Sequence, residues 1–227
     1  MNSPAKQYKT LLQIDNIKDI AYDVLFTKYI VRNLKGEEKV LDIDSTDQEG
    51  LMMKRNGGYP LPGFIYTFMY PPQGGDLIKV AEKGKEKEYI DFVPLTFCTS
   101  VKGLTFKGIN LNTLPNLERV KFLEIYWKIY KNFFKNIEEL TENDKLALNM
   151  KFINLMSSPV SNKILEIMSR AVNANFNYGF RSYDMKRIKQ LRMIEYVEWD
   201  LIPHYSPKNA FKGMNQKQIH DLYYRSF

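Results

Sequence analysis

Between Ile14 and Arg32 the apolar residues Ile17, Ile20, Ala21, Val24, Leu25 and Ile30 return at spacings of three and four, which predicts an amphipathic helix of about five turns. The pattern stops before Lys35-Gly36. Glu37 to Gly58 is rich in Asp, Glu, Ser, Thr and Gly without sustained periodicity, and reads as an acidic loop. Its Asp42-Ile43-Asp44-Ser45-Thr46-Asp47 stretch lacks the sixth-position glycine and twelfth-position glutamate of a calcium loop. From Tyr59 to Pro115 the runs become short and β-rich. Phe64 to Tyr70 is an aromatic, β-branched strand between Pro62-Gly63 and Pro71-Pro72, and Leu77 to Ala81 is followed by a charged hairpin tip, Glu82 to Lys87. Tyr89 to Cys98, interrupted by Pro94, and Gly103 to Leu111 complete four or five strands, a density that predicts a small barrel.

After Pro115 the period is helical again. Leu117, Val120, Leu123, Trp127, Tyr130, Phe134 and Ile137 trace one face, and Phe122, Ile125, Tyr126, Ile129 and Phe133 widen it, so this helix is predicted to be buried on two sides. Thr141 is placed to cap a second helix running to about Met156. A third begins at Pro159, with Ile164, Ile167, Met168 and Ala171 as its expected inner face. Asn173 to Gly179 reads as a turn, and Asn215 to Tyr224 as a last amphipathic helix.

Composition narrows the chemistry. The chain has 227 residues with 44% hydrophobic and 26% charged positions, the profile of an ordinary globular protein of one or two units. A single cysteine, Cys98, excludes an intrachain disulfide and a thiolate metal cluster, and it reads as a small core residue. The two histidines, His204 and His220, do not make a zinc site. Neither a signal-peptide pattern nor an apolar run of spanning length is present, so synthesis in a reducing cytoplasm is expected. The Gly57-Gly58 and Gly74-Gly75 pairs lack the context of a phosphate loop, and no nucleophile, paired-carboxylate or nuclease pattern stands out. No catalytic residue, metal or cofactor is therefore expected, and the protein reads as a non-enzyme.

The formal charge of +7 is concentrated. Arg181 to Arg192 holds five bases and one acid, Asp184, with Tyr183 among them. On a helix, Lys186, Lys189 and Arg192 share a stripe suited to phosphates. The same stripe also fits a solvated face paired by Glu195, Glu198 and Asp200, or a protein contact. The nearby aromatics Phe176, Tyr178, Phe180 and Tyr183 fit base stacking, an interface or core filling. Arg181, Tyr183, Lys186, Lys189 and Arg192 are the candidate nucleic-acid or partner contacts.

Two blocks resemble a known group. The first runs from Pro62-Gly63 and Tyr66, Phe68 and Tyr70 through Asp91-Phe92-Val93-Pro94-Leu95 to Gly108-Ile109-Asn110, Leu114-Pro115 and Arg119. The second is Phe180-Arg181-Ser182-Tyr183 with Ile194, Glu198-Trp199-Asp200 and Pro203. Together they resemble small structural proteins of tailed bacteriophages from the tail, baseplate or neck. The N-terminal helix, the acidic loop and the helices after Pro115 look like additions to that pattern.

Periodicity and resemblance together give an α+β expectation: an N-terminal helix (1–36), the acidic loop (37–58), a small β-barrel (59–115) that the resemblance implies to be SH3-like, and a helical subdomain with a C-terminal extension (116–227). Asp91, Pro94, Asn110, Arg119 and Trp199 are the expected structural residues; a carboxylate beside the core needs a partner, so Asp91 is expected to take hydrogen bonds from backbone amides or from Arg119. The expected partners are other virion proteins, met in multiple copies of a symmetric assembly after synthesis in the host bacterial cytoplasm. A DNA-binding head-completion or DNA-end-protecting role is the alternative.

Overall fold

Five consecutive buried side chains make Ile65–Met69 (β1) a strand with protein on both faces. It lies inside an antiparallel sheet of order β6-β5-β4-β1-β7, where β4 is Leu95–Lys102, β5 Thr105–Asn110, β6 Phe180–Asp184 and β7 Lys189–Ile194. Two further strands, β2 (Leu77–Glu82) and β3 (Lys85–Ile90), pair with each other as a separate hairpin. This computed structural model describes residues 3–22, 24–25, 60–70, 77–82, 85–91, 93–135, 139–172 and 179–205. The fold is α+β.

One face of the sheet carries the helices. Ile65, Leu95, Phe97, Ile109 and Ile194 share a core with α3 (Asn116–Phe133), α4 (Glu142–Ser157) and α5 (Pro159–Val172). Phe97 meets Phe122 and Tyr126 edge-on at 5.4 and 4.8 Å, and the Tyr126 hydroxyl donates to the Gly63 carbonyl. The opposite face collects Tyr66, Phe68, Tyr70, Cys98, Phe106 and Tyr183, where the Tyr183 ring stands 5.0 Å from Phe68 and 5.1 Å from Tyr70. The period-two alternation of an aromatic strand thus fills two cores at once.

Local signals hold well in places. The Thr141 hydroxyl accepts from the Asp144 amide to start α4, as its spacing predicts. Gly103 takes φ of 56° at the first central position of the two-residue β4–β5 turn, where a side chain would be strained. Cys98 is buried in the core.

Four expectations change. The sheet is not closed into an SH3-like barrel: β6 and β7 are its two ends. Among the described residues β2 and β3 pair only with each other, and the place beside β1 goes to β7, from far along the chain. The basic segment is also not a helix. It forms β6, a 3-10 turn at Met185–Arg187 and β7, so 116–227 contributes two strands to the same sheet as 59–115. The helix predicted from Ile14 begins only at Ile17 (α2, Ile17–Tyr22), after Asn16 with φ of 62°, and a separate helix, α1 (Pro4–Leu11), precedes it; the rest of the predicted span, 23 and 26–32, lies outside the described residues. In α5 the buried positions are Ser161, Leu165, Met168 and Val172, so the inner face is rotated from the predicted one and Ile167 is 62% exposed. The acidic loop, the hairpin tip at 83–84 and the helix at 215–224 lie outside the described residues.

Candidate functional site

Two of the residues carrying the resemblance, Asp91 and Asn110, meet in a buried polar knot. Asp91 follows β3, and its carboxylate accepts from Asn110 Nδ2 at 2.7 Å, Asn112 Nδ2 at 3.0 Å and the Val93 amide at 3.3 Å. Asn110 ends β5 and caps the next turn by accepting from the Asn112 amide at 3.0 Å. Burial raises the Asp91 pKa, against the lowering effect of these donors and of the Arg119 charge. Pro94, also buried, turns the chain from this knot into β4.

Arg119, in the first turn of α3, gathers main-chain carbonyls. Its Nε donates to Leu114 O at 2.8 Å, Nη1 to Tyr205 O at 2.7 Å and Ile202 O at 3.4 Å, and Nη2 to Asn112 O at 3.5 Å. One guanidinium therefore ties the entry of α3 to the turn at Ile202–His204. Of the donors expected for Asp91, the backbone amide is present, whereas Arg119 acts on the carboxylate through its charge and gives the hydrogen bonds above to main-chain carbonyls; the two asparagine donors go beyond the expectation. Their Asn110-Leu111-Asn112 spacing is the signal: both side chains reach one oxygen, Asp91 Oδ2, from either side of a turn. Trp199 is buried too, stacked 5.0 Å from Tyr126 with Nε1 donating to Ile194 O.

The basic candidates are dispersed. Arg192 is 7% exposed, and its Nη2 donates to both Glu198 oxygens, at 2.5 and 2.7 Å. Tyr183 is buried and accepts from the Thr96 hydroxyl at 3.2 Å. Neither is a surface contact. They are correct members of the segment but belong to the core, because period-two geometry sends alternate residues inward. Arg181 is half-buried, with Nη1 on Phe180 O. Lys186 is exposed in the 3-10 turn, where Asp184 accepts from its amide, and the Arg187 guanidinium lies 4.4 Å from the Tyr70 ring. Lys189 pairs with Met69 in the β1–β7 ladder, Lys186 lies in the turn before that strand and Arg192 is buried, so the exposed helical stripe expected of the three is not formed.

The exposed surface beside them lies on three strands. Cross-strand pairs place Lys102, Thr105 and Asp184 in one row, and Ser100, Lys107 and Ser182 in the next. Phe180 pairs with Ile109 on the same face and is 40% exposed. Beyond Ile109, then, the helix-bearing face runs out from under the helices as an open patch of two lysines, one aspartate, hydroxyls and one aromatic ring. Lys102 and Lys107 went unremarked in the sequence. The alternation Thr105-Phe106-Lys107-Gly108-Ile109 already puts Lys107 opposite the buried Phe106.

Gly108 and the Tyr183 row close the other side of this patch. A Cβ at Gly108 would stand 2.4 Å from Phe97 O, so β4 and β5 approach as closely as they do only because of glycine. No family model matches the chain, and no match is found among curated proteins or solved structures. Among the described residues no group of three or more His, Cys, Asp and Glu is placed to hold a metal, and no helix is long and apolar enough to cross a membrane.

Proposed function

We propose that the protein is a non-catalytic structural subunit of a tailed-phage particle, in the tail, baseplate or neck, that works through protein–protein contacts. The observation that carries this reading is the use made of the motif residues. Asp91, Pro94, Asn110, Arg119 and Trp199, on which the resemblance rests, are all buried, and the polar ones bind main chain and each other. Such residues set the path of loops rather than perform chemistry on a substrate.

Exposed aliphatic side chains on the helices, including Leu117, Met150, Val160 and Ile167, give neighbouring subunits apolar surface to cover. Other virion proteins, met in many copies of a symmetric assembly, are the partners of this reading. Mass spectrometry of purified particles from a phage encoding this chain tests it. Peptides of the chain at a fixed ratio to the tail proteins support it, and their absence from intact particles overturns it.

A further inference from the structure

We infer that the open three-strand face bearing Lys102, Lys107 and Phe180 is a binding surface for single-stranded nucleic acid. Three features of the face point to that ligand. First, its charge is complementary to phosphate. Lys102 and Lys107 are exposed on adjacent strands, Lys186 is exposed in the turn that follows β6, and Asp184 is the one acid in the rows, with an oxygen already engaged by the Lys186 amide. The turn at Met185–Arg187 is held against the β4–β5 tip by the Met185 amide on Leu104 O at 2.9 Å, so these cations occupy one end of the sheet.

Second, Phe180 gives a base a ring to stack on. It lies in line with the lysine rows, two residues along β6 from Ser182. Third, the hydroxyls of Ser100, Thr105 and Ser182 flank the lysines in the same cross-strand rows and supply hydrogen bonds to sugar or phosphate oxygens. Reading a duplex calls for a helix or ribbon inserted into a groove, whereas an unpaired strand can lie across a sheet and stack a base. The inference does not depend on membership in a virion: it concerns this face alone.

The test is fluorescence anisotropy of a labelled thirty-nucleotide oligo-dT with the full chain, alongside a duplex of the same length, from 50 to 200 mM salt. Binding of the single strand in preference to the duplex is expected, with log K falling against log salt at a slope of about −2, the value for roughly three phosphates contacted on a single strand. Lys102→Glu with Lys107→Glu is expected to weaken binding at least tenfold, and Phe180→Ala to weaken it roughly fivefold with the slope unchanged. Both variants alter exposed side chains, and circular dichroism checks that they fold. Lys151→Glu, on the exposed side of α4, is expected to change affinity less than twofold.

No binding at 50 mM salt overturns the inference. Equal loss for Lys151→Glu and for the face variants does the same, because it reports net charge alone. So does cross-linking in purified particles that places Lys102 and Lys107 against a protein neighbour while oligo-dT is not bound.

Discussion

Asn110 Nδ2 donates to Asp91 Oδ2 over 2.7 Å inside the protein, joining the chain just after β3 to the end of β5. The bond is one of three on that carboxylate, so replacing Asp91 with alanine leaves two asparagine amides and a backbone N–H to find other partners in a buried setting. Asp91→Ala is expected to cost roughly 2–4 kcal/mol of unfolding free energy. Asp91→Asn keeps one acceptor oxygen and is expected to cost less. Urea denaturation of the three proteins checks both; an unchanged midpoint for the alanine variant would show that the knot does not stabilise the fold.

Gly108 makes a narrower prediction. Its Cβ position lies 2.4 Å from Phe97 O and 2.5 Å from Thr96 Cγ2, and the first of these is main chain that cannot rotate away. Gly108→Ala must push β5 off β4, at an expected cost of roughly 1–3 kcal/mol. Gly103→Ala is the comparison: nothing lies within 4 Å of its Cβ position, so its cost comes from the positive φ, of order 1 kcal/mol. Thermal melts of the pair are expected to rank Gly108→Ala below Gly103→Ala.

These two positions also show how much of the fold was legible. Element type was readable wherever one period dominated, as in the β1 aromatics, the Thr141 cap and the helices after Pro115. Closure was not, because it depends on which distant strand lies beside β1. The Phe64 to Tyr70 run has an equal need for partners on either edge, and nothing in its residues names Lys189–Ile194 as the neighbour. The basic segment misled for a related reason. Lys186, Lys189 and Arg192 are three apart, which reads as a helical stripe. The alternation Leu191-Arg192-Met193-Ile194 carries a strand only once Arg192 is allowed to be buried, and that requires Glu198.

His204 sets a pH dependence. It is buried in the Ile202–His204 turn with its ring stacked 4.8 Å from Tyr8 of α1, and its Nε2 has no hydrogen-bond partner among the described residues. Burial lowers its pKa, and the Lys18 charge adds to the effect. A depressed folded-state pKa means the unfolded chain takes up the proton first. The neutral ring's contribution is therefore full above the ordinary histidine value and is lost as pH falls through the folded-state value. Hydrogen exchange of residues 3–22 is expected to accelerate between pH 7 and pH 5 relative to the rest of the chain, after correction for intrinsic rates. His204→Phe, which keeps an aromatic ring for Tyr8, is expected to remove that difference; the same acceleration in the variant would assign it to another group.

Arg192 and Glu198 separate a buried ion pair from a nucleic-acid contact. The Arg192 side chain is 6% exposed and that of Glu198 14%, and Glu198 also accepts from the Glu195 amide in a capping box. Removing the arginine alone leaves a largely desolvated carboxylate, so Arg192→Met is expected to cost roughly 3–5 kcal/mol. Arg192→Met with Glu198→Met removes both charges and is expected to recover much of that loss, because the mutual attraction of a buried pair mainly offsets the cost of taking its members out of water. The remaining cost reports the bonds Arg192 Nη1 makes to Leu25 O and Glu198 to Glu195 N. In the oligo-dT titration the double variant is expected to match the parent in affinity and in salt slope, since neither side chain lies on the open face. A slope reduced by about 0.7, the value for one lost phosphate contact on a single strand, would instead return Arg192 to the binding surface.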